Sequence, residues 1–274
     1  MSNRIMHSFW SKPCWNPGQH TWMYALSLAY LRREGATTVL HTDSAGKEIM
    51  GFLPYDEIHT TLDDVPKWID PKFFAAGKFI AQRAEAIGTV HIDGDVFLKK
   101  KKLIDRICDP EDKDFVAQHT EFGRNKVYNI TTDVLEKFIP DPPYPYLYMT
   151  PVSCGVIGFF NKSLKDEYEQ MYFSMLERAH KADGCIEALK ASERSIPDLI
   201  FEQQFLTQLA EENGYTYKCA LETTPAHLQE TAIESGFQHL ITSYKWSLLP
   251  YVKMYLRALD PVLYSEVDKK YHNV

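Results

Sequence analysis

Asp93 and Asp95 stand one glycine apart in GTVHIDGDVFLKKKK, residues 88–102, directly after an apolar run and ahead of four lysines. Alternate positions of an extended chain share a face, so the two carboxylates point to one side. Carboxylates that close repel each other unless a cation lies between them. Magnesium and manganese accept such ligands and complete their shells with substrate phosphates, which suits a nucleoside-diphosphate leaving group. By letters alone, DGD reads equally well as an ordinary Asp-Gly turn. Gly94 would let a bulky ligand come close to the backbone. A second pair, Asp112 and Asp114 in DPEDKDF, has no apolar strand leading into it and reads as a solvated loop.

The segment GFQHLITSYKW, residues 236–246, adds His239 and Lys245. Imidazole joins carboxylates around manganese, and an ammonium pairs with phosphate oxygens. Taken singly, they are a core histidine and a solvated lysine. Beside a strand-end aspartate pair they make a constellation suited to a metal and a diphosphate.

A net charge of −7 over 274 residues argues against a nucleic-acid surface, which needs a basic face to neutralise phosphates. With 45% hydrophobic and 24% charged residues there is material for a sizeable core, in one large α/β domain or one domain with an appendage. Cys14, Cys108, Cys154, Cys185 and Cys219 are odd in number and form no CxxC pair. Neither a disulfide framework nor a structural zinc site is indicated, and the thiols are expected to be reduced and mostly buried. MSNRIMHSFW holds no signal-peptide stretch and no window reaches the roughly 18 apolar residues of a membrane span, so a cytoplasmic location is expected. WSLLPYVKMYLRALDPVLY, residues 246–264, carries Lys253 and Arg257 on an apolar stretch interrupted by Pro250. It is expected to dock as a helix, with peripheral contact to the inner membrane surface as the alternative.

The elements that must position these residues alternate through the first half. RIMHSFW is a strand; HTWMYALSLAYLRREG is a helix ending at Gly35; TTVLH is a strand leading into TDSAG. DEIHTTL is a weaker strand, and PKFFAAGKFIAQRAEAIG is a helix with proline in its first turn and Gly88 after its last. TVHI is the strand that delivers Asp93. Such alternation predicts βαβ units and a mainly parallel sheet with ligands at the carboxyl ends of its strands. Beyond DFVAQHT, another strand, the proline- and tyrosine-rich IPDPPYPYLYMTP is a long ordered loop. SCGVIGFFN is a buried strand, KSLKDEYEQMYFSMLERAHKA and PDLIFEQQFLTQLAEENG are helices, and YTYKC is a late strand.

On these residues the chain resembles a metal-dependent glycosyltransferase of the GT-A fold, of the glycogenin-like or galactosyltransferase-like kind or the capsular polysaccharide kind. DGD matches that family's DxD motif, and SCGVIGFFN is similar to the strand and turn that follow it. HLITSYK resembles the HxxGxxK pattern, with Thr242 where the pattern has glycine. FFAAGKFIAQRAEA resembles the helix before DxD, with Lys78 near the position where a basic residue often meets the donor. The resemblance runs from Arg4 to about Trp246.

It implies a single GT-A domain over residues 1–274, with a Rossmann-like, mainly parallel central sheet flanked by helices and a helical C-terminal portion. Residues 1–100 would be the nucleotide-binding half and 101–274 the acceptor-side half. Asp95 would be the direct ligand of Mn2+ or Mg2+, Asp93 a second ligand or a contact to the donor ribose, and His239 a further ligand. Lys245 would hold the diphosphate. His41, Thr42 and Asp43 are candidates for contacts to the base and ribose, or turn residues.

The activity so implied is transfer of a hexose from a nucleotide sugar, with UDP-sugar the expected donor, to a saccharide or glycolipid acceptor. In SIPDLIFEQQFLTQL, Asp198 and Glu202 lie one helical turn apart. Asp198 at the helix start is the candidate general base, with Glu202 next and a plain helix cap as the other reading. Tyr144, Tyr146 and Tyr148 are offered as a stacking wall for the acceptor sugar. One alternative is a nucleotidyltransferase that makes nucleotide sugars, but the glycine-rich basic loop it needs is replaced by WSKPCWNPGQH, with one glycine. Another is a noncatalytic carbohydrate-binding or scaffold protein on a transferase fold, against which the retained Asp93, Asp95, His239 and Lys245 argue.

Overall fold

The computed structural model describes residues 3–13, 16–121, 123, 126–148, 150–192, 194–240 and 243–272. The first third runs β1 (Arg4–Phe9), α1 (Pro17–Arg33), β2 (Thr37–Thr42), α2 (Ser44–Met50), β3 (Glu57–His59), α3 (Ala76–Ala84), β4 (Val90–Ile92) and β5 (Val96–Leu98). Next come α4 (Lys101–Cys108), β6 (Phe115–Thr120), α5 (Lys126–Phe138), β7 (Val152–Phe159), α6 (Lys162–Lys181) and α7 (Cys185–Ala191). The chain continues with α8 (Phe205–Asn213), β8 (Tyr217–Cys219), α9 (Leu228–Ser235), β9 (Phe237–His239), α10 (Leu249–Leu259) and α11 (Pro261–Tyr271).

Seven strands form one sheet in the order β3-β2-β1-β4-β7-β6-β8, and β5 and β9 form a separate two-stranded ribbon. Pairing is parallel from β3 through β4 and between β6 and β8, and antiparallel on both sides of β7. This is the expected mainly parallel α/β sheet flanked by helices. Neighbouring strand residues alternate between the packing layers: Met6, Val39, Phe115 and Ile157 enter one core cluster, while Ile5, Leu40, Val116 and Val156 enter others, as a pleated strand requires. After β1 the chain crosses one way to β2 and later the other way to β4. The carboxyl ends of β1 and β4 therefore flank a topological switch point, the usual ligand crevice of such sheets.

Several local expectations hold for local reasons. Helix α1 ends before Gly35, whose φ of 79° suits glycine. Its start lies earlier than expected, at Pro17, because the Asn16 side chain accepts the Gln19 N–H. Helix α8 stops at Gly214, also in the left-handed region.

Tertiary contacts override other expectations. The helix expected over 71–87 is only Ala76–Ala84: the Asp70 side chain holds a turn through Lys72 N–H, Phe73 turns into the core, and Glu85 leaves the helix to meet Arg4 and His41. The weaker strand expected over 56–62 shortens to β3, followed by a 3₁₀ turn at Thr61–Asp64. The helix expected from Pro197 begins as a π-helical turn, Leu199–Gln204.

Pro250, expected to interrupt the C-terminal stretch, instead sits in the first turn of α10, where its missing N–H costs nothing. Leu249, Val252 and Leu256 are buried and α10 packs on α1, while Tyr251, Met254 and Tyr255 face outward. Among the described residues no helix is long and apolar enough to cross a membrane. Cys154, Cys185 and Cys219 are buried free thiols and Cys108 is a half-buried one; Cys14 lies outside the described residues.

Candidate functional site

Strand β4 delivers Asp93 to the switch point. The Asp93 N–H donates to Gly155 O on β7 at 2.9 Å, and the Val96 N–H returns to Asp93 O at 2.9 Å, closing a turn. DGD is thus an Asp-Gly turn and a presentation device together. Gly94 is needed for a reason other than ligand approach: a Cβ there would lie 2.0 Å from the ring of Tyr24, whose hydroxyl donates to Ser8 O at 2.6 Å.

The ribbon sets the other half of the site. β9 runs antiparallel to β5 with His239 opposite Val96, and the Leu240 N–H donates to Asp95 O at 3.0 Å. His239 Nε2 then lies 3.4 Å from Asp95 Oδ1. One donor atom from each of Asp93, Asp95 and His239 falls within 4.8 Å of the others. Opposed ligands of a cation with bonds of about 2.1 Å lie roughly 4 Å apart, so two carboxylates and an imidazole at this spacing fit a hard divalent ion.

Lys245 Nζ donates to Asp95 Oδ2 at 2.7 Å and lies 4.8 Å from the centroid of Trp246. Burial works against the Asp95 charge, but the hydrogen bond to His239 and the charge of Lys245 outweigh it and hold the carboxyl well below its usual range.

A buried ammonium supports the other aspartate. Lys78 on α3 is 8% exposed, and its Nζ lies 3.0 Å from Asp93 Oδ1, 2.7 Å from Glu202 Oε1 and 2.9 Å from Cys154 O. Burial opposes its charge, and Asp93 and Glu202 overcome it, so Lys78 stays protonated. Glu202 comes from the π-helical turn; burial pushes its carboxyl up to about 7, against the pull of Lys78.

Asp198, the expected acceptor-side base, is 1% exposed. It accepts the Ala75 N–H at 2.9 Å and the Tyr172 hydroxyl at 2.8 Å, and burial pushes its carboxyl up to about 6. Both its oxygens are engaged inside the fold, where it caps α3 rather than its own helix.

The structure engages His41, Thr42 and Asp43 in contacts within the fold: His41 with the turn after β3 and the end of α3, Thr42 with the end of β1, and Asp43 with α2 and the segment after β1. His41 is 1% exposed, with Nδ1 on Thr61 Oγ1 at 2.8 Å and Nε2 on Glu85 Oε1 at 3.0 Å. Thr42 Oγ1 donates to Phe9 O at 2.7 Å. Asp43 caps α2 through the Gly46 N–H and accepts the Ser11 hydroxyl. Of the tyrosines expected to face an acceptor sugar, Tyr146 is buried, stacked on Phe205 with its hydroxyl donating to Ile139 O, and Tyr144 packs edge-on against the same ring. Tyr148 is half-buried. Thr242 lies outside the described residues. Of the second pair, expected in a solvated loop, Asp114 is instead half-buried, accepting the Thr216 N–H at 2.7 Å and Asn161 Nδ2 at 2.8 Å, a structural role.

Sequence reasoning missed Gln118 and His119 on β6 and Gly155 on β7. The last carried a signal, because glycine inside a buried strand often marks a close approach. Gln118 Nε2 donates to His119 Nδ1 at 3.0 Å, and burial holds His119 down at about 4 and so neutral. Among the described residues, His91 Nδ1, Gln118 Oε1 and His239 Nδ1 are buried without a hydrogen-bond partner.

Residues 3–273 match the sequence profile of a family described as a family of unknown function, DUF6734. The chain belongs to this family. No curated protein matches the sequence. Among solved structures, mouse xyloside xylosyltransferase 1 is 16% identical, the likeness covering 88% of this chain and 95% of that one at a TM-score of 0.43. A glycosyltransferase involved in glycosylation of the major capsid of PBCV-1 is 13% identical over 93% of this chain and 100% of its own, at 0.45. The galactosyltransferase LgtC, solved with donor and acceptor sugar analogues, is 10% identical over 94% of this chain and 96% of its own, at 0.45. The chemistry open to this DUF6734 member is set by the residues of its site.

Proposed function

We propose that the chain is a metal-dependent glycosyltransferase of the GT-A type that transfers a hexose from a nucleotide sugar, with a UDP-sugar as donor, to a saccharide or glycolipid acceptor. The observation that carries this reading is the convergence of Asp93, Asp95 and His239 with Lys245, which lies 150 positions along the chain from Asp95. Asp93, Asp95 and His239 would hold Mn2+ or Mg2+, which when bound neutralises the charge that builds on a departing diphosphate. Lys245, paired with Asp95, is within reach to pair with a phosphate oxygen instead. Lys78, braced by Glu202, orients Asp93. The position of the cluster at the switch point of the sheet supports a nucleotide there. One sheet draws strands from both 1–100 and 101–274, which supports reading the two halves as a single domain.

Titration calorimetry with UDP in Mn2+ and again in excess EDTA tests the reading, alongside metal-dependent hydrolysis of UDP-sugars. Binding that needs the metal, with sugar release, is the expected result. Absence of any nucleotide or nucleotide-sugar binding at millimolar concentration in Mn2+ would overturn it, and metal-dependent binding without turnover would favour a carbohydrate-binding protein on the same fold.

A further inference from the structure

We infer that Gln118 is a positioning residue for His239, its Oε1 accepting the Nδ1–H of the imidazole and so presenting Nε2 to the cation; this rests on the metal-site reading above. Gln118 Oε1 and His239 Nδ1 are both buried and both lack a hydrogen-bond partner among the described residues. They meet at one place. The point where a Gly155 Cβ would sit is 2.2 Å from Gln118 Oε1 and 2.9 Å from His239 Nδ1, so only glycine at that position of β7 leaves room for the two groups to face each other. Gln118 is 4% exposed, and its amide is oriented from the far side, where Nε2 donates to His119 Nδ1 at 3.0 Å. That contact leaves the oxygen, an acceptor, beside Gly155, on whose other side lies His239 Nδ1.

The tautomer of His239 sets which roles the two unpaired atoms can take. With its proton on Nε2, toward Asp95 Oδ1 at 3.4 Å, the ring shows Gln118 a lone pair at Nδ1, and two acceptors face one another. An imidazole that ligates through Nε2 must carry its proton on Nδ1. One proton leaves Nε2, one is taken up at Nδ1, and a small turn of the amide toward the ring then makes the two orphaned atoms acceptor and donor. A ligating histidine is ordinarily held this way by a partner on its other nitrogen, and loss of such a partner weakens metal binding by about 10–100-fold. Gln118 supplies that partner from β6.

Mn2+ titration of the full chain by calorimetry, paired with thermal melting, tests this in Gln118→Met and Gln118→Glu. Methionine keeps the length of the side chain without a comparable acceptor, whereas glutamate keeps an acceptor oxygen. Gln118→Met should weaken Mn2+ binding by about 10–100-fold with a melting curve close to wild type, and Gln118→Glu should bind Mn2+ within about threefold of wild type or more tightly. Wild-type Mn2+ affinity in Gln118→Met overturns the inference alone, as does an equal loss in both variants, which would mark a packing role. A wild-type protein that takes up no Mn2+ overturns the metal-site reading and this inference with it.

Discussion

The carboxylate of Asp198 accepts the backbone N–H of Ala75 at 2.9 Å, across 123 positions of sequence, and so caps the start of the helix that carries Lys78. The Tyr172 hydroxyl occupies its other oxygen at 2.8 Å. Asp198, Glu202 and Lys78 together tie the π-helical turn to the back of the Asp93 turn.

That burial predicts a pH dependence. A carboxyl whose folded pKa, here about 6, lies above its ordinary value of 3.8 binds its proton more tightly in the fold than in the unfolded chain. Stability should therefore fall as pH rises from about 4 to about 6, by on the order of 2–3 kcal/mol from Asp198. Glu202, pushed up to about 7, acts in the same direction at slightly higher pH. Asp198→Asn, which copies the neutral form, should lose the Asp198 share of this slope. Urea unfolding at pH 4.5, 6 and 7.5 measures it, and a slope unchanged in Asp198→Asn would exclude this residue as its source.

Asp95→Ala should abolish metal-dependent UDP binding, because it removes a ligand and leaves His239 and Lys245 facing a site with less negative charge. Asp114→Ala should leave that binding intact while costing about 1–3 kcal/mol of stability, since it removes the acceptor of the Thr216 N–H and the Asn161 amide. Calorimetry with UDP and Mn2+, beside denaturant melts of both variants, separates the two roles.

Lys245→Ala should split nucleotide from metal. The lysine competes with a cation for Asp95, so its removal is expected to leave Mn2+ affinity equal or slightly higher. UDP affinity should fall by about tenfold or more through the lost charge-assisted contact to phosphate. Parallel loss of both affinities would place Lys245 in the scaffold of the turn instead.

Gly94→Ala should destabilise the protein by about 1–3 kcal/mol or more, because the added methyl meets the Tyr24 ring at 2.0 Å and Tyr24 is held at its hydroxyl by Ser8 O. A change below about 0.5 kcal/mol in guanidinium unfolding would show that the ring moves aside freely.

Much of the framework was legible because its causes are local. The apolar run of TVHI places Asp93 at a strand end, Gly35 and Gly214 stop their helices in conformations other residues resist, and the prolines keep 139–148 and 150–151 out of regular structure. Gly94 was legible as a position of close approach, but its contact with Tyr24 was not, since Tyr24 lies 70 positions away and nothing in DGD names it. The ends of α3 were misplaced for a similar reason: Phe73, Glu85 and Asp198 act on it through partners on other elements.

From its residues alone the chain specified an α/β sheet, the aspartate pair at the end of β4, and the types of side chain able to bind a cation and a diphosphate. Which of them meet was decided by tertiary structure. β5 and β9 have three residues each, too few for a periodic signal, yet their pairing is what sets His239 beside Asp95. A lysine on a helix is ordinarily solvated, and Lys78 is buried only because Asp93 and Glu202, the latter 124 positions away, surround its charge. Local backbone preferences act over a few residues and can be read from them, whereas the cost of burying a charge or an unpaired polar atom depends on neighbours that only the folded chain brings together.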